Sequence, residues 1–410
     1  MFGTGSCHVF TVDTNTGAQE VILSPEDTVI GECRGDHQFP TMGFFEESLA
    51  RPMSNTAWSP SMQAWSHVLS RLPARTVWGL DQVCRSWRAV IKSERFAAAH
   101  VRHANRDKSP QVLFLNGMPY GFVGASCAPP PLVCVDWRIV CSKPCHGLNA
   151  GSFGNCDYVC HPLTGYFKAL PLDNTAAAMF TGRLGLGYDQ ESSRHVLVRL
   201  AYEERNLVTR EYKMACSMRY VEDMVWGEAE PPPRPIADVP PAHVKGKLYW
   251  MVDTQLGQRS PLGHGEIVVL DATTREFEVL PGPPFDREDG ENVSLVELQG
   301  VVCVACSHRR MGIIKVWAME DETAGVWSVK YDIELERFSP EYSPETTTPL
   351  AVDPRDGRIL LSTGRALGYY DPRTAELETI CRLGKHMDKG MKFVPVLYEE
   401  SLVKPCDPIF

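Results

Sequence analysis

Residues 65–106 read WSHVLSRLPARTVWGLDQVCRSWRAVIKSERFAAAHVRHANR, and apolar residues recur in this stretch at helical spacing. The first stripe has the i, i+3, i+4, i+7 pattern of an amphipathic helix: Trp65, Val68, Leu69 and Leu72. Pro73 interrupts the pattern, a second stripe follows between Val77 and Ile91, and a third short helix is predicted from Ser93. The stretch therefore predicts three to four short helices. About forty residues bury too little surface to fold alone, so we expect this unit to pack against something else.

Three short motifs within this unit resemble a known family: LSRLPARTV (69–77), VCRSWRAVI (83–91) and SERF (93–96). In these words the sequence resembles the F-box, the segment with which substrate receptors of SCF-type (cullin–RING) ubiquitin ligases bind a Skp-family adaptor. The family usually opens its first helix with a Leu-Pro pair, and Pro60 and Ser61 stand at that position here.

The resemblance implies that the helical unit binds the adaptor through a set of mostly apolar residues. The set consists of Leu69, Leu72, Pro73, Val77, Leu80, Val83, Cys84, Trp87 and Ile91. Trp87 is expected to contribute most, because tryptophans are enriched among the residues that dominate protein interfaces. An ordinary helical hairpin inside a core is the alternative that the pattern leaves open.

The charge of the chain favours a protein partner over nucleic acid. The 410 residues carry a net charge of −10 at pH 7, whereas a nucleic-acid binder usually presents a basic face. The segment 71–108 is an exception, because nine Lys and Arg residues stand there against three acidic ones. We expect an acidic protein surface to complement this segment, with RNA as the weaker alternative.

The sequence predicts a protein of the cytoplasm, the nucleus or both. No apolar run reaches the roughly 18 residues of a membrane-spanning helix. The first residues, MFGTGSCHVFTVD, lack the basic region and apolar core of a secretory signal. Fourteen cysteines without such a signal are expected to be reduced thiols rather than a disulfide framework.

From Pro110 onward the pattern changes from helical to strand-like. Runs of β-branched and aromatic residues alternate with turn sequences such as Asp-Pro-Arg-Asp-Gly. A loose repeat occurs at 157–171 and 265–281, with a weaker version at 367–380: a strand, Asp or His-Pro, a Thr, then a second strand. Strand-rich sequence over about 300 residues exceeds one sandwich and favours radial repetition of small sheets.

This region also resembles the F-box-associated domain of the large plant F-box family. The words that carry the resemblance are, in order, CHGLNAG (145–151), YVCHPLTG (158–165), LGLGYD (184–189), VKGKLYWMVD (244–253), IVVLDATTREFEVLP (267–281), LVELQGVVCV (295–304) and IKVWAMEDETAGVWSVKYDIEL (314–335). The resemblance implies a kelch-like or β-propeller-like receptor whose variable loops on one face select the ligand. The predicted fold class is therefore α+β multidomain: a small N-terminal F-box of three to four helices, followed by a mainly antiparallel β-propeller-like domain.

We predict three regions in the chain. Residues 1–58 form an N-terminal extension, residues 59–106 form the F-box helical module, and residues 110–405 form the substrate-binding β-propeller-like domain.

The N-terminal extension resembles the C-terminal tail of the same chain. The segment 8–22 reads as two short strands around a turn, as does 367–380, and FFEESLARP (44–52) matches LYEESLVKP (397–405). We interpret the extension as a duplicated copy of the tail, joined to the next copy in a tandem array. Chance similarity is the alternative.

The sequence offers few residues for catalysis or metal binding. One group has the spacing of zinc ligands: Cys141, Cys145, His146, Cys156, Cys160 and His161. We expect these cysteines to act instead as small apolar residues of strands. No nucleophile elbow and no phosphate-binding glycine loop is recognised, so we expect no catalytic residue, no metal and no cofactor.

The predicted function is that of a non-catalytic receptor subunit, which bridges a Skp-family adaptor and an unknown target protein. Two alternatives from other classes stay open. The first is a stand-alone β-propeller binding module with a degenerate F-box. The second is a propeller hydrolase with carboxylate pairs at its central channel.

Overall fold

The structure, a computed structural model, describes residues 9–12, 19–23, 60–106, 110–116, 124–125, 137–139, 143–153, 156–161, 166–170, 183–258, 265–284, 292–383 and 395–403. Within these residues the chain forms four α-helices near its N-terminal end and a series of antiparallel sheets.

The helices lie in one short segment. Their bounds are α1 Pro60–Leu69, α2 Ala74–Gly79, α3 Arg85–Ile91 and α4 Glu94–Ala104. Pro73 immediately precedes α2, where a proline is tolerated because it needs no helical hydrogen bond. Ser93 caps α4, since its Oγ accepts a hydrogen bond of 3.3 Å from the Phe96 N–H. We call residues 60–106 the helical unit.

The strands account for most of the remaining described residues. Their bounds are β1 Val9–Val12, β2 Gln19–Leu23, β3 Gln111–Asn116, β4 Gly124–Ala125, β5 Trp137–Ile139, β6 Asn149–Phe153, β7 Cys156–His161, β8 Tyr166–Ala169, β9 Arg183–Asp189, β10 Arg194–Arg205, β11 Tyr212–Tyr220, β12 Gly227–Ala229, β13 Ala242–Val244, β14 Lys247–Met251, β15 Glu266–Asp271, β16 Phe277–Pro281, β17 Val293–Leu298, β18 Val301–His308, β19 Ile313–Asp321, β20 Val326–Glu334, β21 Thr348–Val352, β22 Ile359–Ser362, β23 Ala366–Asp371, β24 Glu376–Arg382 and β25 Pro395–Tyr398.

Strands that follow one another in sequence pair with one another, which gives five four-stranded antiparallel sheets: β5–β8, β9–β12, β13–β16, β17–β20 and β21–β24. The closing sheet combines the two ends of the chain. In it, β25 pairs with β3, and the β1–β2 hairpin lies on the other edge of β3.

Each sheet packs on the next through side chains that point alternately to its two faces. On β10, Val196, Val198 and Leu200 pack against the following sheet, whereas Leu197 packs against the preceding one. Both faces of these strands are buried, which explains why HVLVRLAY lacks a polar position at every second residue. Similar clusters join every following pair of sheets up to the closing one.

The ring of sheets closes between the first four-stranded sheet and the closing sheet. Asn149 on β6 donates a hydrogen bond of 2.9 Å from Nδ2 to the carbonyl oxygen of Leu397 on β25. The described residues thus form a β-propeller-like ring, which confirms this part of the predicted fold class.

The sequence repeat corresponds to the same pair of strands in each of the three sheets in which it occurs. The repeats at 157–171, 265–281 and 367–380 coincide with the third and fourth strands of their sheets. The β1–β2 hairpin, whose sequence resembles 367–380, takes the corresponding outer place in the closing sheet. The two short strands predicted within 8–22 are therefore confirmed, whereas the segment 44–52 lies outside the described residues.

Candidate functional site

The helical unit has a small core of its own, which the end of the chain completes. Six of its side chains are buried together: Leu69, Ala74, Val77, Val90, Ile91 and Phe96. Leu402, four residues beyond β25, packs into the same cluster. The unit therefore folds against the ring rather than as a separate body, as expected for a core of this size.

A second apolar group of the helical unit faces solvent. Trp65 is 44% exposed, Val68 52% and Val83 50%. The ring of Trp65 lies 5.1 Å from that of half-buried Trp87, centroid to centroid, in a tilted pair. We call Trp65, Val68, Val83 and Trp87 the exposed apolar face. Because large apolar side chains seldom cluster on a free surface without a role, this face is the candidate partner-binding site.

The predicted adaptor-binding residues divide between this face and the core. Leu69, Val77 and Ile91 are buried inside the helical unit, where they support the helices and are not accessible to a partner. Val83 and Pro73 are exposed. The others are half-buried: Leu72, Leu80, Cys84 and Trp87.

Two residues of the exposed apolar face were not among the predicted binding residues. Trp65 and Val68 belong to the same stripe as Leu69 and Leu72 in the sequence. The apolar stripe could not distinguish these exposed residues from the buried ones, because the neighbouring elements cover only one edge of the apolar face of α1.

The N-terminus of helix α3 is capped by the side chain of Cys84, a residue adjacent in sequence to Val83 of the exposed apolar face. The Cys84 Sγ lies 3.4 Å from the Trp87 N–H and accepts its hydrogen bond at the N-terminus of α3. The neighbouring Arg88 donates from Nε to the Asp81 carbonyl oxygen at 3.0 Å, across the turn before α3. These bonds fix the N-terminal turn of α3, which carries Trp87.

Exposed cations lie in the same part of the sequence as Val83 and Trp87. Arg85, Arg88, Lys92 and Arg95 all have exposed side chains on or beside α3. An acidic partner would complement them, and such charges mainly raise the rate of association.

Of the six cysteine and histidine residues with zinc-like spacing, Cys141 lies outside the residues that the structure describes, and the other five lie on the ring. Cys145 and Cys160 are buried, and burial raises the pKa of the Cys160 thiol to about 12. Cys145 Sγ lies 3.7 Å from Nε2 of His243, which is outside the predicted set. Within the part of the chain that the structure describes, no three His, Cys, Asp or Glu residues are arranged to hold a metal ion.

A second exposed apolar site lies at the tip of the hairpin between β10 and β11. Val208 is 93% exposed and Leu207 is 53% exposed. The tip is held in place by Asn206, whose Oδ1 accepts hydrogen bonds from the N–H groups of Val208 (2.9 Å) and Thr209 (3.1 Å). Arg210 ties the hairpin to the next sheet by donating to the Gly257 carbonyl oxygen at 3.0 Å.

The hairpin tip lies far from the helical unit. Strand β10 starts beside the chain end, since His195 Nε2 is 3.0 Å from the Cys145 carbonyl oxygen and the adjacent His146 carbonyl accepts a hydrogen bond from Ser401. From there β10 runs to Arg205, about 35 Å at about 3.3 Å per residue. The two exposed apolar sites therefore lie at opposite ends of the ring.

Among the helices that the structure describes, none is long and apolar enough to cross a membrane.

Comparison with known proteins gives two relatives and no matching family model. An F-box/LRR-repeat protein of Arabidopsis thaliana is 23% identical over 353 residues, which cover 78% of this chain and 80% of that protein. A putative F-box protein of the same plant is 22% identical over 382 residues, covering 76% of this chain and 79% of that protein. The chain is thus similar to plant F-box proteins over about three-quarters of its length, which confirms the resemblance to plant F-box proteins, while the F-box-associated domain stays a prediction.

Among solved structures, a chain from the crystal structure of the mitotic checkpoint complex matches with a TM-score of 0.33 and 11% identity, covering 60% of this chain and 64% of that chain.

Proposed function

We propose that this protein is the substrate-recognition subunit of an SCF-type cullin–RING ubiquitin ligase. The helical unit binds a Skp-family adaptor, and the ring of sheets binds the target protein. Support comes from the similarity to two plant F-box proteins and from the F-box words at 69–77 and 83–91.

The observation that carries the proposal is the exposed apolar face. Trp65 and Trp87 are in ring contact, Val68 and Val83 are exposed on the same unit, and Leu69, Ala74 and Phe96 are buried together with Leu402 near the chain end. A patch of this kind, with two tryptophans and a rim of arginines, has the composition of a protein-interface hot spot. In this role Trp65 and Val68 replace the buried Leu69, Val77 and Ile91 as direct contacts of the adaptor.

The mechanism is positional, and this chain supplies no reacting group. The adaptor-bound unit connects the receptor to the ligase, while the ring holds the target near the ubiquitin carrier. Tethering in this way raises the effective concentration of the carrier at the target lysines.

The target is proposed to bind at the end of the ring away from the helical unit. The hairpin tip there presents Leu207 and Val208 on a backbone fixed by hydrogen bonds. A rigid apolar contact loses little conformational entropy on binding, which favours affinity.

The test uses three matched double variants of the full chain. Val68→Asp with Val83→Asp places two charges in the exposed apolar face, and Leu207→Asp with Val208→Asp does the same at the hairpin tip. Met224→Asp with Val225→Asp changes two exposed residues of a turn at the other end of the same sheet and is the control.

Adaptor binding is measured with purified adaptor, and target binding by affinity capture with mass spectrometry. We expect the first variant to lose the adaptor and keep the target, the second to show the reverse, and the control to keep both. If the unaltered chain binds no adaptor, the protein is a stand-alone ring and the ligase assignment is wrong.

A further inference from the structure

We propose that the five residues after the last strand, Glu399–Val403, fix the orientation of the helical unit on the ring, with Glu400 as the positioning residue. We call these residues the tail segment. They continue directly from β25, which is itself part of the closing sheet. The tail segment lies between the helical unit and the ring and makes contacts with both.

The first contact joins the Glu400 side chain to the start of α2. Its Oε2 accepts a hydrogen bond of 2.7 Å from the Ala74 N–H. The first N–H groups of a helix have no partner within the helix, and Pro73 at the N-cap offers no side-chain acceptor. The tail segment therefore supplies from outside a cap that the helical unit lacks.

The second contact joins the Glu400 backbone to the last turn of α4. Asn105 accepts a hydrogen bond from the Glu400 N–H at Oδ1 (2.8 Å) and donates one from Nδ2 to the Glu400 carbonyl oxygen (2.9 Å). Glu400 thus binds the beginning of α2 and the end of α4 together. Leu402 adds an apolar anchor in the core of the unit.

The third contact joins the tail segment to the ring. Ser401 is fully buried, and its Oγ donates to the His146 carbonyl oxygen at 3.3 Å. The neighbouring Gly147 has a φ of +87°, and a Cβ at that position would lie 2.2 Å from the Ser401 Cβ. The close approach leaves the tail segment no room to shift toward the ring.

These contacts leave the exposed apolar face free. The tail segment packs on Leu69, Ala74 and Phe96, whereas Trp65 and Val68 face solvent. If the proposed function holds, the tail segment sets the angle between the adaptor and the target without competing with either. The positioning itself can be measured without any partner.

The experiment compares the full chain with Glu400→Ala. Fluorophores are introduced as unnatural amino acids at Arg102 on α4 and Thr323 on the β19–β20 turn, both exposed. Single-molecule energy transfer then gives the distribution of distances between unit and ring. Hydrogen exchange of the peptide containing Ala74 reports the broken bond, and exchange of the peptide containing Phe96 reports whether the unit remains folded.

We expect Glu400→Ala to widen the distance distribution at least twofold and to speed exchange at Ala74 about tenfold, while exchange at Phe96 stays unchanged. Glu399→Gln is the control, because Glu399 lies near Lys143 and Glu297 of the ring rather than near the helices. It should leave the distribution as it is.

Two results would overturn the proposal. An unchanged distribution in Glu400→Ala would mean that the Glu400 side chain does not set the orientation. Rapid exchange at Phe96 would mean that Glu400 maintains the fold of the unit and does not merely orient it. Loss of the proposed ligase function would be seen separately, as a failure of the unaltered chain to bind adaptor.

Discussion

At the scale of single residues, the tilted pair of Trp65 and Trp87 is the feature most closely tied to the proposed function. The two rings contact each other at a tilted angle, Trp65 is 44% exposed, and half-buried Trp87 packs against the core of the unit. A partner that covers these rings removes their remaining exposed apolar area from water, which contributes to binding in proportion to the area covered.

Trp87→Ala is therefore expected to weaken adaptor binding by about 2 kcal/mol, roughly 30-fold in Kd. Calorimetric titration of the full chain with purified adaptor gives this change. Met224→Ala, an exposed apolar residue on the ring, should bind as the unaltered chain does. An equal Kd for Trp87→Ala would place the adaptor elsewhere on the unit.

The pKa of Glu399 gives a second prediction at this scale. The pKa of this carboxyl group is raised to about 7, chiefly by burial, with nearby Lys143 lowering the pKa and Glu297 raising it. Because the folded-state pKa lies above the unfolded value of 4.5, the stabilising contribution of protonated Glu399 is present below pH 4.5 and is lost as the pH rises through 7.

At high pH the folded chain buries an ionised carboxylate at Glu399, which costs stability. Glu399→Gln removes this cost, because the amide is neutral at every pH. We expect its melting temperature to exceed that of the unaltered chain by about 1–3 °C at pH 8 and by less at pH 5. Calorimetry at the two pH values measures the difference. A melting temperature that falls equally at both would show that the carboxylate contributes a net favourable bond.

At the scale of elements, the repeated hairpins owe their sequence signature to one type of turn. The turn between the third and fourth strands begins with an aspartate in three successive sheets: Asp271, Asp321 and Asp371. In the first, the Asp271 Oδ1 accepts hydrogen bonds from the N–H groups of Thr273 (2.8 Å) and Thr274 (3.1 Å). The side chain thereby satisfies backbone donors that the loop would leave unpaired.

Asp271→Ala should lower the free energy of unfolding by about 1–2 kcal/mol, because it leaves those N–H groups without this acceptor. Asp271→Asn keeps an oxygen at the same place and should cost less than half as much. Urea denaturation compares the two. Equal losses in both variants would point to the charge rather than the hydrogen bonds.

The same scale shows why α1 could not be interpreted fully from its stripe. Leu69 packs into the core with Leu402, a residue more than 300 positions away. Trp65 and Val68, one turn and one residue earlier, remain in solvent. The periodicity of the sequence indicates that a helix has an apolar side, but it does not indicate how much of that side neighbouring elements cover.

At the scale of the whole molecule, buried histidines link stability to pH. Burial lowers the pKa of His161 and His243 to about 4 and that of His195 to about 3. These imidazoles are neutral in the folded chain near pH 7, and on unfolding they gain protons when the pH is below the ordinary histidine pKa of 6.5. Their stabilising contribution is therefore present above pH 6.5 and is lost as the pH falls toward 4.

We expect the unfolding midpoint in urea to decrease steadily between pH 7 and pH 5, since three histidines outweigh the opposite effect of Glu399. His243→Asn should reduce this slope by about half, because three histidines opposed by Glu399 give a net effect of about two protons and one of the histidines is removed. A midpoint that stays constant between these pH values would contradict the burial of the three imidazoles.

The chain itself determined the alternation of helix and strand, the position of the outer hairpins and the presence of an apolar helical unit, because each depends on neighbours within a few residues. Hydrophobic spacing sets a helix, and an aspartate with a following left-handed residue such as Arg275 (φ +63°) sets a turn. A resemblance in a few short motifs was enough to indicate the family to which the two similar plant proteins belong.

Only the tertiary structure decided which apolar residues stay exposed and what holds the helical unit in place. The hydrogen bonds that join Glu400 to Ala74 and Asn105 link positions about 300 residues apart, so no local sequence pattern could predict them. Exposure is likewise a property of the whole packing, in which a side chain becomes a binding residue when no other part of the chain covers it.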